Sequence, residues 1–271
     1  MPVINTNVSA LFAQNAMTKN SRAQGTAMEQ LSTGSRINSA KDDAAGLAIG
    51  QSMTNQVRGL NQAVRNLNDG VNMMQTAEGA LNETSNMLQR MRELAVQASN
   101  GTYSASQRGY LDTEFQALAA QITKVSTQTK WNDQSLLTTA TNFVFQAGKD
   151  NLQTITATIN DMGAVGLGLT TVLSLGTVAA SASSITALDT AIGTVNAQRA
   201  SIGAGINQMT YAVDNLSNVS SNASASRSSI MDTDYATAST QLSKTQIIQQ
   251  AATAMLAQAN QQPQSVLALL K

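Results

Sequence analysis

Large apolar residues recur at every third or fourth position through residues 53–95, and this repeat constrains the fold more than any other feature. From Met53 the gaps alternate between four and three, and the members that follow are Val57, Leu60, Val64, Leu67, Val71 and Met74. A heptad repeat places its apolar side chains on one stripe of an α-helix, which must pack lengthwise on other helices. The repeat shifts by three residues at Ala77 and continues, which predicts one helix over about 42–99. Ser39 is its predicted cap, and Asp42 favours its N-terminal dipole.

Two more segments carry the helical spacing, and one carries a different spacing. Residues 111–125 follow a capping-box pair, Ser104 and Gln107, and predict a helix that returns antiparallel to the first. Residues 185–216 predict another long helix. Residues 142–159 alternate in period two around the turn sequence GKDN, which predicts a β-hairpin. The uncharged stretch 162–188 is rich in Gly, Thr and Ser and lacks flanking anchor residues, so it is predicted to be a surface connection, not a membrane span.

These elements predict a mainly α fold. The long N-terminal and C-terminal segments are expected to form an antiparallel coiled-coil rod, with the small β-hairpin inserted between them. Because a rod of helices encloses no substrate, this architecture suits lateral assembly better than catalysis.

The C-terminal segment ends on an apolar stripe that no later part of the sequence can cover. A partner outside the segment must therefore bury the stripe, which is the predicted assembly seam of the chain. Its large members are Ile248, Met255, Leu256, Val266, Leu269 and Leu270.

The composition excludes several classes of function. The chain has no His and no Cys, which removes the common catalytic triads, thiolate chemistry and zinc sites. Lys plus Arg equals Asp plus Glu at 16 each, so no charge excess favours nucleic acid or an anionic membrane. The N-terminal sequence lacks the basic and apolar regions of a secretory signal, so export would follow another route. We predict a protein partner, no cofactor and no enzymatic activity.

The acidic pairs in the sequence do not predict a catalytic or metal site. Asp42 and Asp43 are better explained by a helix start than by acid–base catalysis. Asp232 and Asp234 lack the further oxygen ligands of a calcium loop and are predicted to form a polar turn or helix face. No residue is therefore assigned a catalytic or metal-binding role.

Both ends of the chain resemble bacterial flagellin, the subunit of the flagellar filament. The resemblance rests on INTNVSALFAQNAM, LSTGSRINSAKDDAAGLAI and LNDGVNMMQTAEGALNETSNMLQRMRELAVQASNGT near the N-terminus, and on SRSSIMDTDYATASTQLSKTQIIQQAATAMLAQANQQPQSVLALLK at the C-terminus. It covers about residues 1–140 and 190–271. The short middle resembles a flagellin without large outer domains.

The resemblance implies a division into domains. Residues 1–42 and 232–271 would be the terminal coiled-coil segments of the filament core, and residues 43–140 and 181–231 the helical rod domain. Residues 141–180 would supply the hairpin and the connection that belong to the rod domain.

The resemblance also implies a function, a location and partners. The chain would be exported unfolded through the flagellar type III pathway and would polymerise into the extracellular filament that drives motility. Its partners would be other copies of itself, the cap and hook–filament junction proteins, and an export chaperone, with no nucleic acid and no membrane insertion.

The family further implies a surface for a vertebrate Toll-like innate immune receptor. The matching residues here are Gln89, Arg90, Leu94 and Glu114. Arg90 would supply a charged fork and Leu94 an apolar anchor, with Glu114 on the neighbouring helix. Without the resemblance, the charges of this segment would indicate a solvated helix face.

Two alternatives to a filament subunit remain open from the sequence. A hook–filament junction protein shares flagellin-like ends, and a surface adhesin could be built on a flagellin frame. The match over both ends and the rod favours a filament subunit, and residues 141–180 contain no recognisable sugar platform or charged groove.

Overall fold

The computed structural model describes residues 6–169 and 173–268 of the chain, with side chains described up to residue 261. The described residues are mainly helical with small antiparallel sheets, which confirms the predicted fold class. In chain order the elements are α1 (Val8–Thr33), α2 (Ala44–Ala98), α3 (Ala105–Gln128), β1 (Lys130–Trp131), β2 (Gln134–Ser135), β3 (Thr141–Gln146), β4 (Thr154–Ile159), α4 (Val178–Met231) and α5 (Tyr235–Ala268).

The chain divides into two compact units. The terminal unit comprises Met1–Val57 and Ser221–Lys271, and the middle unit comprises Arg58–Ser220. The domain boundaries that the flagellin resemblance implies stay a prediction.

The core of the middle unit is built from the apolar stripes of its helices and from the inner face of the hairpin. The heptad repeat explains why these side chains converge, since each helix turns the same face inward along its length. Side chains that are fully or almost fully buried there include Leu67, Met74, Leu81, Leu88, Met91, Phe115, Ile122, Ile159, Leu188, Val195, Ile202 and Met209.

The predicted hairpin is present as β3 and β4, which pair antiparallel with Phe143 opposite Ala157. Gln198 of α4 is buried and holds the hairpin, because its Nε2 donates to the Thr158 carbonyl at 2.9 Å. A glycine in the middle of α2 allows close approach of β3: a Cβ on Gly70 would lie 2.9 Å from Cδ1 of Phe145. A glycine inside a helix lowers the stability of the helix, but at this position it makes room for the Phe145 ring.

The start of α2 differs from the prediction. Ser39 does not cap the helix. The Asp43 carboxylate accepts from the Gly46 N–H at 2.8 Å, so Asp43 is the capping residue. Asp42 lies in the turn before the helix, where its carboxylate accepts from the Ser39 hydroxyl and from the Ser39 N–H, both at 2.9 Å. These hydrogen bonds lower the pKa of Asp42. They also close a turn before the helix, so α2 begins at Ala44.

The start of α3 agrees with the prediction. The Ser104 hydroxyl accepts from the Gln107 N–H, and the Gln107 side chain accepts from the Ser104 N–H, which completes the predicted capping box.

The described parts of the stretch 162–188, residues 162–169 and 173–188, do not form the predicted surface connection. Met162, Leu167, Leu169 and Leu175 are buried in the core of the middle unit, and α4 already begins at Val178. The apolar residues scattered among the Gly, Thr and Ser are spaced irregularly, so they fill the core without a periodic pattern that sequence analysis could detect.

Among the described residues, α4 alone is long and apolar enough to cross a membrane, with a window of mean hydropathy 1.2. A core helix meets the same criteria of length and composition. Leu188, Val195 and Ile202 of α4 are buried in the core of the middle unit.

Candidate functional site

Helices α1 and α5 of the terminal unit pack on each other in antiparallel orientation. The Asn7 side chain donates to the Ala259 carbonyl at 2.8 Å, the Asn20 side chain donates to the Thr245 carbonyl at 2.8 Å, and Ser35 forms a β-bridge with Asp232. Residue numbers thus rise along α1 as they fall along α5. The C-terminal segment therefore has an intramolecular partner, the N-terminal helix, for one of its faces.

The two helices meet along faces with an unbroken heptad spacing, which we call the paired faces. Their side chains are buried or half-buried. The paired face of α1 consists of Ala10, Ala13, Met17, Asn20, Gln24, Ala27 and Leu31, and that of α5 consists of Ala238, Leu242, Thr245, Gln249, Ala252, Leu256 and Ala259.

The predicted assembly seam is divided between two faces of α5. Leu256 lies on the paired face, half-buried. Ile248 and Met255 lie outside it, with 40% and 65% of each residue exposed, and the neighbouring Ile247 is 67% exposed. These three residues form what we call the outer stripe. Leu269 and Leu270 lie outside the described residues, as does the side chain of Val266.

Sequence reasoning found Leu256 but missed most of the paired face of α5, because most residues of that face are small or polar. A search for large apolar side chains also selects Ile248 and Met255 on another face, whereas the face that packs on α1 contains three alanines, a threonine and a glutamine beside its two leucines. The signal that could have identified it is the regular alternation of four and three from Ala238 to Ala259, with alanines at positions where two helices approach closely.

Helix α1 also presents apolar surface to solvent. Val8, Leu11 and Phe12 in its first turns are 48%, 51% and 70% exposed. Leu11 and Met17 line a groove of about 860 Å³ between the two helices, together with Leu256 and Gln249 of α5. The terminal unit thus carries exposed apolar side chains on both of its long helices, a pattern typical of a surface that other proteins cover.

The predicted receptor residues lie partly on one surface of the middle unit. The Arg90 guanidinium on α2 binds the Glu114 carboxylate on α3, with Nε and Nη2 at 3.0 and 2.9 Å from Oε1. Its Nη1 donates to Glu93 Oε2 at 3.1 Å. The hydrogen bond to Glu114 is the main reason that the pKa of Arg90 is raised. Gln89 is exposed beside this cluster.

Leu94 does not lie on this surface. It is 1% exposed and belongs to the core of the middle unit, so the prediction of an exposed apolar anchor at Leu94 is wrong. It follows Met91 by three residues and precedes Ala98 by four, and this spacing already places it on the core stripe. The exposed apolar residue of the segment is Val96, which lines a concavity of about 470 Å³ with Gln89, Glu93 and Gln97.

The acidic residues near the start of α5 accept hydrogen bonds from residues close to them in the sequence. Asp234 accepts from the Ala236 N–H at 2.9 Å and from the Thr237 hydroxyl at 2.8 Å, and the bond from Thr237 is the first cause of its lowered pKa. Asp232 accepts from the Ser228 hydroxyl at 2.6 Å. Within residues 6–169 and 173–268, no three acidic side chains come together in a group that could hold a metal ion.

Comparison with known proteins gives matches at both ends of the chain. The family model for the bacterial flagellin N-terminal helical region matches residues 4–142, and the model for the C-terminal helical region matches residues 185–270. The flagellar filament 33 kDa core protein of Treponema phagedenis is 40% identical over 285 residues, which cover 99% of this chain and 100% of that protein. The flagellin of Bacillus subtilis strain 168 is 42% identical over 302 residues, 99% of either chain. Among solved structures, a Bacillus cereus flagellin matches with 33% identity and a TM-score of 0.50, over 56% of this chain and 88% of that one.

Proposed function

The chain belongs to the bacterial flagellin family, and from this membership we infer that it is a structural subunit that polymerises into the extracellular filament of the bacterial flagellum. The observation that carries the inference is full-length similarity to filament proteins, since the match to the Treponema phagedenis core protein spans 99% of this chain. Motility is the function that such a filament serves, and export through the flagellar pathway is consistent with the family.

We propose that the outer stripe and the exposed end of α1 make the contacts between subunits. These residues are large and apolar, and the paired helix leaves them exposed. Burying them against neighbouring copies would remove apolar surface from water, which is the main favourable term in protein association. The proposal retains residues 1–42 and 232–271 as the filament-core segments.

The direct test is seeded polymerisation of the purified chain. Short filament fragments added to monomer should elongate into long, regular filaments that electron microscopy can measure, whereas monomer alone should lag. Fragments of an unrelated filament are the control for non-specific nucleation. Amorphous aggregates, or no elongation at any monomer concentration, would contradict the function.

We propose that the chain itself has no catalytic activity. The family is one of structural proteins, and the sequence has neither His nor Cys to supply the usual nucleophile or base. Assays of homogeneous monomer against casein and common esters would test this. Further partners proposed from the family are the cap protein, the hook–filament junction proteins and an export chaperone.

We propose that Gln89, Arg90 and Glu114, with the neighbouring Glu93 and Val96, form the patch that a Toll-like receptor binds. The support is geometric: the exposed Arg90 guanidinium is held in place by two carboxylates on two helices. A guanidinium ordered in this way loses little conformational freedom when a partner binds.

Replacing Arg90 by alanine should weaken receptor activation by monomer at least tenfold, because truncating an interface anchor costs about 2 kcal/mol or more. Receptor-reporter cells measure the effect, and Arg65→Ala, an exposed arginine on the same helix, is the matched control. Leu94→Ala is unsuitable as a test, since a buried leucine also supports the fold. Equal activation by Arg90→Ala and Arg65→Ala would show that the Arg90 cluster is an ordinary solvated helix face.

A further inference from the structure

Besides the cap residue Asn7, which donates to the Ala259 carbonyl, one side chain within the described paired face of α1 is hydrogen-bonded across to α5 and forms a polar layer with it. Asn20 is 8% exposed and Thr245 is 2% exposed, so both lie between the helices. The Asn20 amide nitrogen donates to the Thr245 carbonyl at 2.8 Å and to Gln249 Oε1 at 3.2 Å. Both amide hydrogens of Asn20 thus have acceptors on the partner helix.

The two layers that lie one heptad from Asn20 do not depend strongly on a particular register. Ala13 and Ala27 lie one heptad on either side of Asn20, and Ala252 and Ala238 lie one heptad on either side of Thr245. Because α1 and α5 are antiparallel, Ala13 faces Ala252 and Ala27 faces Ala238. A slip that brings Ala13 opposite Ala259 brings Ala27 opposite Thr245, so small side chains would still face each other in these two layers.

The polar layer would not tolerate such a slip. Moving α5 by one heptad in one direction places Asn20 opposite Ala252 and Leu256, and moving it in the other direction places Asn20 opposite Ala238 and Leu242. A backbone carbonyl is present in every register, so the first hydrogen bond could form again. Gln249 has no counterpart, because leucine occupies its place in both slipped registers. One amide N–H of Asn20 would then be buried without an acceptor, which is unfavourable.

We infer that Asn20, through Gln249, favours the observed register of α1 and α5 over a slipped one along the length of the helices, while the Ser35–Asp232 bridge ties the chain just beyond their ends. The inference goes beyond the proposed function, since it concerns pairing within one chain. A single buried polar residue is a known means of fixing register in coiled coils, at some cost in stability. Exposed apolar residues keep their positions relative to one another only if this register is fixed.

The absence of cysteine in the chain allows a direct measurement by engineered disulfides. The native-register reporter is Ala13→Cys with Ala252→Cys, and the slipped-register reporter is Ala13→Cys with Ala259→Cys. Each pair is built in the parent chain, in Asn20→Leu, in Gln249→Leu and in Asn15→Leu, which replaces an exposed asparagine of α1 as the matched control. Cross-links are formed by mild oxidation of the soluble chain and of assembled filaments. Non-reducing denaturing electrophoresis separates intramolecular from intermolecular products.

In the parent chain and in Asn15→Leu, the native reporter should cross-link within one chain at least tenfold more than the slipped reporter. In Asn20→Leu and Gln249→Leu this ratio should fall about tenfold, since the penalty of one unsatisfied amide is removed. An unchanged ratio in Asn20→Leu would overturn the inference, and so would equal cross-linking of both reporters in the parent chain. A chain that gives the native cross-link without ever forming filaments would support the register assignment and count against the proposed function.

Discussion

Replacing Phe115 by alanine should lower the free energy of unfolding of the middle unit by about 3–5 kcal/mol. Phe115 is 1% exposed and belongs to the core cluster of that unit. All nine aromatic residues of the chain lie in its described part, and Phe115 alone among them is buried. Its removal leaves a cavity in this core that can close only partly, so the cost of the cavity adds to the lost free energy of burying the ring.

The single tryptophan makes this effect measurable. Trp131 is half-buried and lies in the middle unit, so its fluorescence during urea unfolding reports on residues 58–220 without a contribution from the terminal unit. Phe115→Leu should give a smaller loss, because it keeps most of the buried volume. Tyr110→Ala is the control: it removes an aromatic ring from the same helix at a position that is 74% exposed, and should change stability by less than about 0.5 kcal/mol. Equal losses for Phe115→Ala and Tyr110→Ala would contradict the described core.

The double variant Ile248→Ser/Met255→Ser should raise the critical monomer concentration for filament growth about 100-fold. In the proposed function these outer-stripe residues, 40% and 65% exposed in the single chain, become buried against other subunits. Full burial of such side chains contributes about 1.5–3 kcal/mol each. Because part of each side chain is already covered in the single chain, the double variant should lose about 3 kcal/mol of assembly free energy per subunit. Each 1.4 kcal/mol changes the critical concentration by about a factor of ten.

The matched control for this prediction is Ile248→Val/Met255→Leu, which keeps the outer stripe apolar. It should polymerise near the parent concentration, whereas the serine variant should fail under the same seeded conditions. The fluorescence-monitored stability of the middle unit should be the same in all three chains, because neither position belongs to that unit. Filament growth by the serine variant at the parent concentration would show that the outer stripe is not an assembly contact.

Some parts of the fold depend on information that is local in the chain. The heptad repeat is sustained for so many turns that α2 and α4 could be predicted from spacing alone, and the hairpin from its period of two. The capping box of Ser104 and Gln107 was also predictable, because its two hydrogen bonds join residues three apart. The cap of α2 was predicted wrongly as Ser39, since Ser39, Asp42 and Asp43 are all residue types that cap helices and only the local backbone path selects Asp43.

The family could likewise be recognised from the sequence, because its motifs are long strings at both ends of the chain. The receptor residues could be located on α2 and α3, but their exposure could not. Arg90 meets Glu114 because α3 packs beside α2, and Leu94 lies inside the core although it is only four residues further along the same helix.

Only the tertiary structure decided which face of the C-terminal helix is covered. The sequence determined that α5 is amphipathic and needs a partner, but two of its stripes fit the helical period: Ile248 with Met255, and Ala238 to Ala259. Helical spacing fixes which side chains share a face and leaves open which neighbour the face meets. The covered face of α5 is the one that packs on α1, which lies more than two hundred residues away in the sequence. Asn20 of α1 bonds to this face at Thr245 and Gln249. Contacts of this range depend on how the whole chain closes on itself, which no local pattern encodes.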